Sequence, residues 1–156
     1  MDKREIVLVL SNIRSLHNVG SLFRSADAFG VSKIYLCGLT GTPDSLHGEK
    51  ISKTALGAEK YITWVYKKRT ADAIRELRKN GFQIVALELA KNSIKLPKVK
   101  FKNKVALVVG HEVTGVTKSI LNMADLVAEI PMQGKKESLN VSVAGGIALF
   151  AIRNVQ

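Results

Sequence analysis

Three short segments of the sequence carry polar residues whose types could support chemistry, and each segment directly follows an apolar run. Asn18 and Arg24 lie in "SNIRSLHNVGSLFR", and Glu112 lies in "GHEVTG". Ser138 and Asn140 lie in "PMQGKKESLN". Because open α/β sheets bind ligands beyond the carboxyl ends of their strands, these three segments are candidates for a ligand site.

Each of these residues also has a structural interpretation. Arg24 can be a solvated charge paired with Asp27, three residues further along the same helix. Glu112 can be an acid at the N-terminus of a helix, and Ser138 and Asn140 can cap the last helix, with Ser138 as its N-cap. Taken singly, the residues leave catalysis and capping both open.

Several common kinds of site are missing from the sequence. No G-x-x-x-x-G-K-[ST] loop occurs and no G-x-G-x-x-G follows a strand, which argues against kinase-like and dinucleotide-binding proteins. There is no Cys/His cluster with zinc-ligand spacing and no G-x-S-x-G elbow. We therefore expect no metal.

The single cysteine and the hydropathy pattern bear on the location of the protein. Cys37 lies in the apolar run "KIYLCG", which predicts a buried structural thiol. An unpaired thiol favours a reducing, cytoplasmic compartment. No apolar segment approaches the length of a membrane span, and the first residues lack the features of a signal peptide.

Short apolar runs alternate with helical patterns along the chain. Strands are predicted at 6–10, 33–37, 62–66, 82–89, 105–109 and 126–130. Helices are predicted near 19–29, 50–57, 71–80, 117–123 and 139–153. Because the runs are β-branched and do not alternate strictly, both faces of each strand should be buried. The order predicts one α/β domain with a parallel sheet and helices on both faces.

The first helix has a clear apolar face and a glycine on its opposite side. The apolar residues at spacings of three and four are Val19, Leu22, Phe23, Ala26 and Phe29. Gly20, Arg24 and Asp27 fall on the other side of the helix. Asn18 and Gly20 are interpreted as a polar helix entry that lets a ligand approach the backbone.

Other local patterns lead to further expectations. Thr70 should cap the start of the third helix and Gly81 should end it. The segment 90–104, with six lysines, should be a surface loop. The final helix is apolar nearly all round, so it should be buried on more than one side. Gly145 and Gly146 within it should allow close approach of another backbone.

The charge of the chain indicates a polyanionic partner. Lysine and arginine number 24 against 13 acids among 156 residues, which gives a net charge of +11. RNA or DNA is the expected partner, ahead of a membrane. The alternative is that the charge only aids solubility.

The three segments together resemble a known family. N-x-G-x-x-x-R at Asn18 to Arg24, G-x-E-x-x-G at Gly110 to Gly115, and "IPMQGKKESLNVSVA" at 130–144 occur in that order. This combination resembles the SpoU/TrmH branch of the SPOUT superfamily of RNA methyltransferases. The resemblance spans essentially the whole chain, as a single domain over 1–156 with no separate RNA-binding domain.

The resemblance implies a fold and a cofactor. The family fold is a parallel-sheet, Rossmann-like α/β domain with a C-terminal deep trefoil knot, here formed by about 85–156, and a homodimer interface at the final helix. S-adenosylmethionine is held in the knot, and by position Leu87, Gly110, Ile130 and Leu139 should surround it.

The resemblance also implies a reaction, methylation of a ribose 2′-hydroxyl of RNA. Arg24 matches the residue to which the family assigns the proton-accepting role; because guanidinium stays protonated, assistance by a phosphate is favoured. The residues expected to hold Arg24, the ribose and the cofactor are Asn18, Glu112, Ser138 and Asn140. Small family members often act on tRNA, so tRNA is expected ahead of rRNA. A non-catalytic RNA-binding protein of the same fold is the further alternative.

Basic residues should contact the RNA phosphates. Arg14 and His17 are lesser candidates for RNA contact. The main candidates are Lys67, Lys68, Arg69, the lysines of 91–104, Lys135 and Lys136.

Overall fold

The apolar runs form one parallel sheet of seven strands in the computed structural model, which describes residues 3–155. The strands are β1 (Glu5–Ser11), β2 (Lys33–Cys37), β3 (Thr63–Lys67), β4 (Gln83–Leu87), β5 (Ile94–Lys95), β6 (Lys104–Val109) and β7 (Leu126–Glu129). Their order is β3-β2-β1-β6-β4-β7-β5, and every neighbouring pair is parallel. The predicted parallel α/β fold is confirmed.

Five helices cover the two faces of the sheet. They are α1 (Leu16–Ala28), α2 (Gly48–Ala55), α3 (Thr70–Lys79), α4 (Lys118–Met123) and α5 (Val141–Asn154). Side chains of β1 alternate between two cores: Leu8 packs with α1, α2 and α5, and Val9 packs with α3 and α4. This two-sided burial explains why "IVLVL" is apolar throughout.

Helix α1 begins earlier than predicted, because Ser15 caps it by accepting a hydrogen bond from the Asn18 main chain. Its predicted apolar face is correct, since Val19 and Leu22 are fully buried. The placement of Gly20 on a polar surface is wrong. Gly20 is buried against α2, where an added Cβ would overlap the Ile51 carbonyl oxygen. The glycine therefore permits helix packing, and the interpretation as an approach for a ligand does not hold.

Two predicted details of the chain between β3 and β6 are wrong. Thr70 does not cap α3 but is its first residue, and its hydroxyl is hydrogen-bonded to that of Ser11 at 2.6 Å. The segment 90–104 is not only a loop. It contains β5, which pairs with β7 at the sheet edge, and a 3-10 turn at Leu96–Lys98 that buries Leu96.

Helix α5 also differs from the expectation. Asn140, not Ser138, is its N-cap and accepts from the main chain of Ser142. The helix is expected to be buried on more than one side, but one face carries Val143, Ile147 and Phe150 at exposures of 50%, 41% and 56%.

The two glycines of α5 lie close to α1. A Cβ at Gly145 would come within 2.6 Å of Leu22 Cδ2, and one at Gly146 within 3.4 Å of Ser25 Oγ. The close approach at both glycines is to side chains, not to another backbone as expected.

Cys37 is a free, buried thiol, and burial raises its pKa to about 12. None of the helices within residues 3–155 is long and apolar enough to span a membrane.

Candidate active site

A cleft of about 540 Å³ opens at the carboxyl ends of β4, β6 and β7. Leu87 ends β4, Gly110 follows β6 and Ile130 follows β7. Leu139 lies between β7 and α5, and all four residues line the cleft. Because parallel strands end at the same edge of a sheet, residues far apart in sequence meet here. The volume is that of a small-molecule cofactor site.

A tight turn between β6 and α4 forms one wall of this cleft. At Gly110 an added Cβ would lie 2.5 Å from main-chain atoms of Gly115 and Val116. Gly115 itself has a φ of +70°, which side chains rarely adopt. The two glycines of G-x-E-x-x-G are therefore required by the backbone of the turn.

Two further residues hold this turn, and the sequence reasoning missed the role of both. Glu88, just after β4, accepts a hydrogen bond from the Val116 main chain at 2.9 Å. His111 accepts two main-chain hydrogen bonds within the turn through Nδ1. The only sequence signal for either role is the pair of glycines that brackets His111.

Glu112 connects the turn to the beginning of α1. Its carboxylate accepts hydrogen bonds from the main chains of Ser15 at 2.9 Å and Arg14 at 3.2 Å, and from Asn18 Nδ2 at 3.4 Å. Asn140 Nδ2 in turn donates to Asn18 Oδ1 at 3.3 Å. The three sequence motifs thus meet in one network of side chains.

The network keeps the carboxylate ionised. Partial burial raises the pKa of Glu112, but the hydrogen bonds from Ser15, from its own main chain, from Arg14 and from Asn18 together lower it more. The net effect is a pKa below the ordinary value. Glu112 is therefore a fixed anion near neutral pH.

Arg24 lies outside this cleft. It lines a separate depression of about 590 Å³ between α1, α2 and α5, together with Lys53 and Val143. Its side chain is exposed and makes no hydrogen bond or ion pair with any residue in the range 3–155, Asp27 included. The expectation that the polar network holds Arg24 is not met within one chain.

The N-terminal half of α5 separates the cleft from the depression. Val141 and Ala144 line the cleft, whereas Ser142, Val143 and Gly146 line the depression that holds Arg24. Ser138 lines the cleft and is exposed, but it takes no part in the network around Glu112.

The candidate phosphate contacts lie at different places. Lys95, Lys135 and Lys136 line the cleft. Lys67 forms an ion pair with Glu76 at 3.7 Å, and the lysines at 100, 102 and 104 lie at the opposite, amino-terminal edge of β4 and β6. Arg14 and His17 are exposed beside the Glu112 network. In the part of the chain that the structure describes, no group of His, Cys, Asp and Glu side chains could hold a metal ion.

Residues 5–150 match the sequence model of the SpoU rRNA Methylase family. The chain belongs to the SpoU family. The SpoU chain is 34% identical over 151 residues to a tRNA (guanosine(18)-2′-O)-methyltransferase of Aquifex aeolicus, covering 95% of this chain and 68% of the relative. It spans 57–73% of the length of the similar curated relatives.

Solved structures share the seven-stranded SpoU architecture. An AdoMet-bound rRNA methyltransferase from Sinorhizobium meliloti superposes with a TM-score of 0.88 and 33% identity, covering 97% of this chain and 57% of that one. A second structure, described as "Structural insights into the 2-OH methylation of C/U34 on tRNA", gives a TM-score of 0.83 at 25% identity. The match covers 96% of this chain and 94% of that one, so the two chains are similar in length.

Proposed function

We propose that the protein transfers a methyl group from S-adenosylmethionine to a ribose 2′-hydroxyl of RNA. The observation that carries this proposal is the hydrogen-bonded junction of Asn18, Glu112 and Asn140 beside the cleft, which joins all three family motifs. Family membership and methyltransferase relatives for both tRNA and rRNA support it.

The residues of the cleft fit the cofactor. Leu87, Ile130 and Leu139 offer apolar contact for an adenine ring, and the main chain around Gly110 offers hydrogen-bonding groups. Glu129 and Lys135 offer charges of opposite sign for an amino-acid moiety. When bound, the cofactor supplies a methyl group on a sulfonium, which a nucleophile attacks in line.

The protein's own residues would bind and orient the ribose. Glu112 holds the main chain at Arg14 and Ser15, and Asn18 is held between Glu112 and Asn140, so the entry of α1 is fixed against the cleft. Ser138 has an exposed hydroxyl in the wall of the cleft that can contact the ribose or the cofactor.

Arg24 would act as a cation toward the RNA. An exposed guanidinium without an acidic partner can donate to a phosphate and to the adjoining 2′-hydroxyl. The hydroxyl proton then passes to a phosphate oxygen that Arg24 holds, and the guanidinium stays protonated throughout. Arg24 is thus an orienting and charge-stabilising residue.

We propose that the active site is completed in a homodimer. Val143, Ile147 and Phe150 form an exposed apolar face on α5, and Val143 also lines the depression that holds Arg24. A second copy on this face would bury it and bring Arg24 of one protomer toward the cleft of the other. Ile147→Glu should give a monomer in sedimentation, whereas Asn122→Glu on exposed α4 should not.

Mixing two inactive variants tests the shared site. Arg24→Ala and Glu112→Ala should each be inactive alone. If Arg24 acts on the partner's cleft, random mixed dimers contain one intact site and regain about one quarter of the activity. No recovery on mixing, with exchange of subunits demonstrated, would show that both residues act within one chain.

A trefoil knot and a cytoplasmic location are also proposed. The C-terminal trefoil knot over about 85–156 is supported by the strand order, in which β6 lies between β1 and β4. A cytoplasmic location is supported by the free thiol of Cys37.

Transfer RNA is the proposed substrate. The structure described for tRNA C/U34 methylation is matched over 94% of its length, whereas the rRNA methyltransferase of Sinorhizobium meliloti is matched over 57%. Ribosomal RNA is the second candidate, because relatives named for 23S rRNA are also similar.

The test is mass mapping of ribose methylation in tRNA and rRNA incubated with the purified protein and cofactor. Methylated tRNA is the expected product, and Arg24→Ala should abolish it while retaining fold and cofactor binding. Arg75→Ala is the matched control, because Arg75 is an exposed arginine on α3 that forms an ion pair with Asp72. Binding of RNA without any methylation would favour the non-catalytic alternative.

A further inference from the structure

His111 lies at the start of the turn between β6 and α4, in the wall of the cleft. Its Nδ1 accepts hydrogen bonds from the main-chain N–H groups of Val113 at 3.0 Å and Thr114 at 3.1 Å. The Gly115 N–H donates to the His111 carbonyl at 2.8 Å and closes the turn. A ring nitrogen that accepts carries no proton, so the imidazole is neutral and its proton is on Nε2.

The turn that accepts these hydrogen bonds at His111 Nδ1 contributes several residues to the candidate site. Val113 and Thr114 line the cleft, and Glu112, between them and His111, anchors the start of α1. Besides these bonds, the Gly115 N–H bond to the His111 carbonyl and the Val116 N–H bond to Glu88 hold the turn. A proton on Nδ1 would remove two of the hydrogen bonds that hold the turn.

We propose that His111 is a positioning residue: its neutral imidazole keeps the turn in the cofactor-binding conformation, and protonation at Nδ1 releases the turn and weakens cofactor binding. This inference rests on the proposed function, which identifies the ligand as S-adenosylmethionine. A proton on Nδ1 would face two N–H donors, so both hydrogen bonds are lost and replaced by repulsion.

The charged groups around His111 have no large excess of either sign. Those that line the same cleft are Glu88, Lys95, Glu112, Glu129, Lys135, Lys136 and Glu137. Across Glu112, the start of α1 adds Arg14 and His17. Among the side chains that line the cleft, the imidazole is that of His111.

Substitution of His111 by asparagine keeps a hydrogen-bond acceptor at this position but removes the ring that can be protonated. An asparagine Oδ1 accepts readily from main-chain N–H groups two residues further on, as in an Asx turn, but it does not titrate. His111→Asn should therefore retain the turn at every pH, whereas His111→Ala should lose it at every pH. His47→Asn is the matched control, because it removes an exposed imidazole that precedes α2 and makes no side-chain cap hydrogen bond.

Calorimetric binding of S-adenosylhomocysteine provides the first measurement. From about pH 8 to about pH 5.5, wild type and His47→Asn should lose about tenfold in affinity, the effect of about two lost hydrogen bonds. His111→Asn should bind as wild type does at pH 8 and stay level, and His111→Ala should bind weakly throughout. The inference is overturned if the affinity of wild type does not change with pH. It is also overturned if the affinity of His111→Asn falls as much as that of wild type.

Nitrogen NMR of the ligand-free protein tests the turn without any cofactor. At about pH 8 the Nδ1 signal should be that of an unprotonated nitrogen, and the amide signals of Val113 and Thr114 should shift as the imidazole titrates. A protonated Nδ1 at that pH, or amide signals that ignore the titration, overturns the inference. Absence of cofactor binding at every pH would instead contradict the proposed function.

Discussion

The substitution Gly20→Ala should destabilise the protein, although alanine is the better helix former. Gly20 is buried within α1 where α2 crosses it. A Cβ at this position would overlap the Ile51 carbonyl and the Thr54 hydroxyl, and would lie 3.0 Å from the Ala55 main-chain nitrogen. Main-chain atoms cannot rotate away as a side chain can, so α1 and α2 would have to separate by about 1 Å.

The change in the free energy of unfolding on Gly20→Ala is the sum of a gain from helix propensity and a loss from overpacking. Alanine in place of glycine within a helix contributes about 1 kcal/mol of stability. Overpacking costs about 1–3 kcal/mol, and a gap of about 1 Å removes up to half of the dispersion attraction across the contact. With main-chain atoms as the obstacle the cost is near the upper end, about 3 kcal/mol, so the net loss is about 2 kcal/mol. The midpoint of thermal unfolding should fall by roughly 4–8 °C.

Urea denaturation at one fixed protein concentration, followed by circular dichroism, measures this loss. Gly146→Ala is the control, because its Cβ would meet only the Ser25 hydroxyl at 3.4 Å. In that variant helix propensity should dominate and raise stability by about 0.5–1 kcal/mol. If Gly20→Ala proves as stable as wild type, the packing explanation is refuted.

Three further substitutions test individual hydrogen bonds. Glu112→Gln should lower the urea midpoint at pH 7. Because the folded-state pKa of Glu112 is lowered, the carboxylate contributes its full stability above the ordinary value of 4.5, and the difference should vanish as the pH falls from there through the folded-state pKa. Parallel acid-unfolding curves for the two proteins would contradict this. Asn140→Ala removes the N-cap of α5 and should cost about 1 kcal/mol in urea denaturation; no loss would mean that the cap is replaced. Thr70→Val leaves the buried Ser11 hydroxyl without its partner and should cost about 1–3 kcal/mol, whereas Thr63→Val on the exposed edge strand should cost little.

The parallel sheet could be predicted because burial on both faces imposes continuous apolar runs, as "IVLVL" shows. β5 could not be predicted in this way, since it has two residues, Ile94 and Lys95, and both are exposed. The helical pattern could not predict the burial of Gly20 either. That pattern identifies the face toward the sheet, but α2 covers a second side of α1 through tertiary packing.

The sequence showed the motifs of the candidate site, but it did not show how their residues are arranged. Local chemistry left capping and function as alternatives for Asn140, yet the residue caps α5 and also donates to Asn18. The separation of Arg24 from the cleft depends on the path of α5, which no local pattern specifies. The role of His111 depends on a single ring nitrogen bonded to main-chain groups, and such a bond leaves no pattern in the sequence.

The central position of β1 has a consequence for the newly made chain. Its neighbour β2 follows closely, but its other neighbour, β6, begins only at Lys104. At 5–20 residues per second the ribosome needs roughly 5–20 s to make the intervening segment of about 90 residues. During this interval one edge of an almost wholly apolar strand is without its partner and can pair with other chains. Slow translation between β2 and β6 should therefore increase aggregation of new chains, while the stability of folded molecules is unchanged.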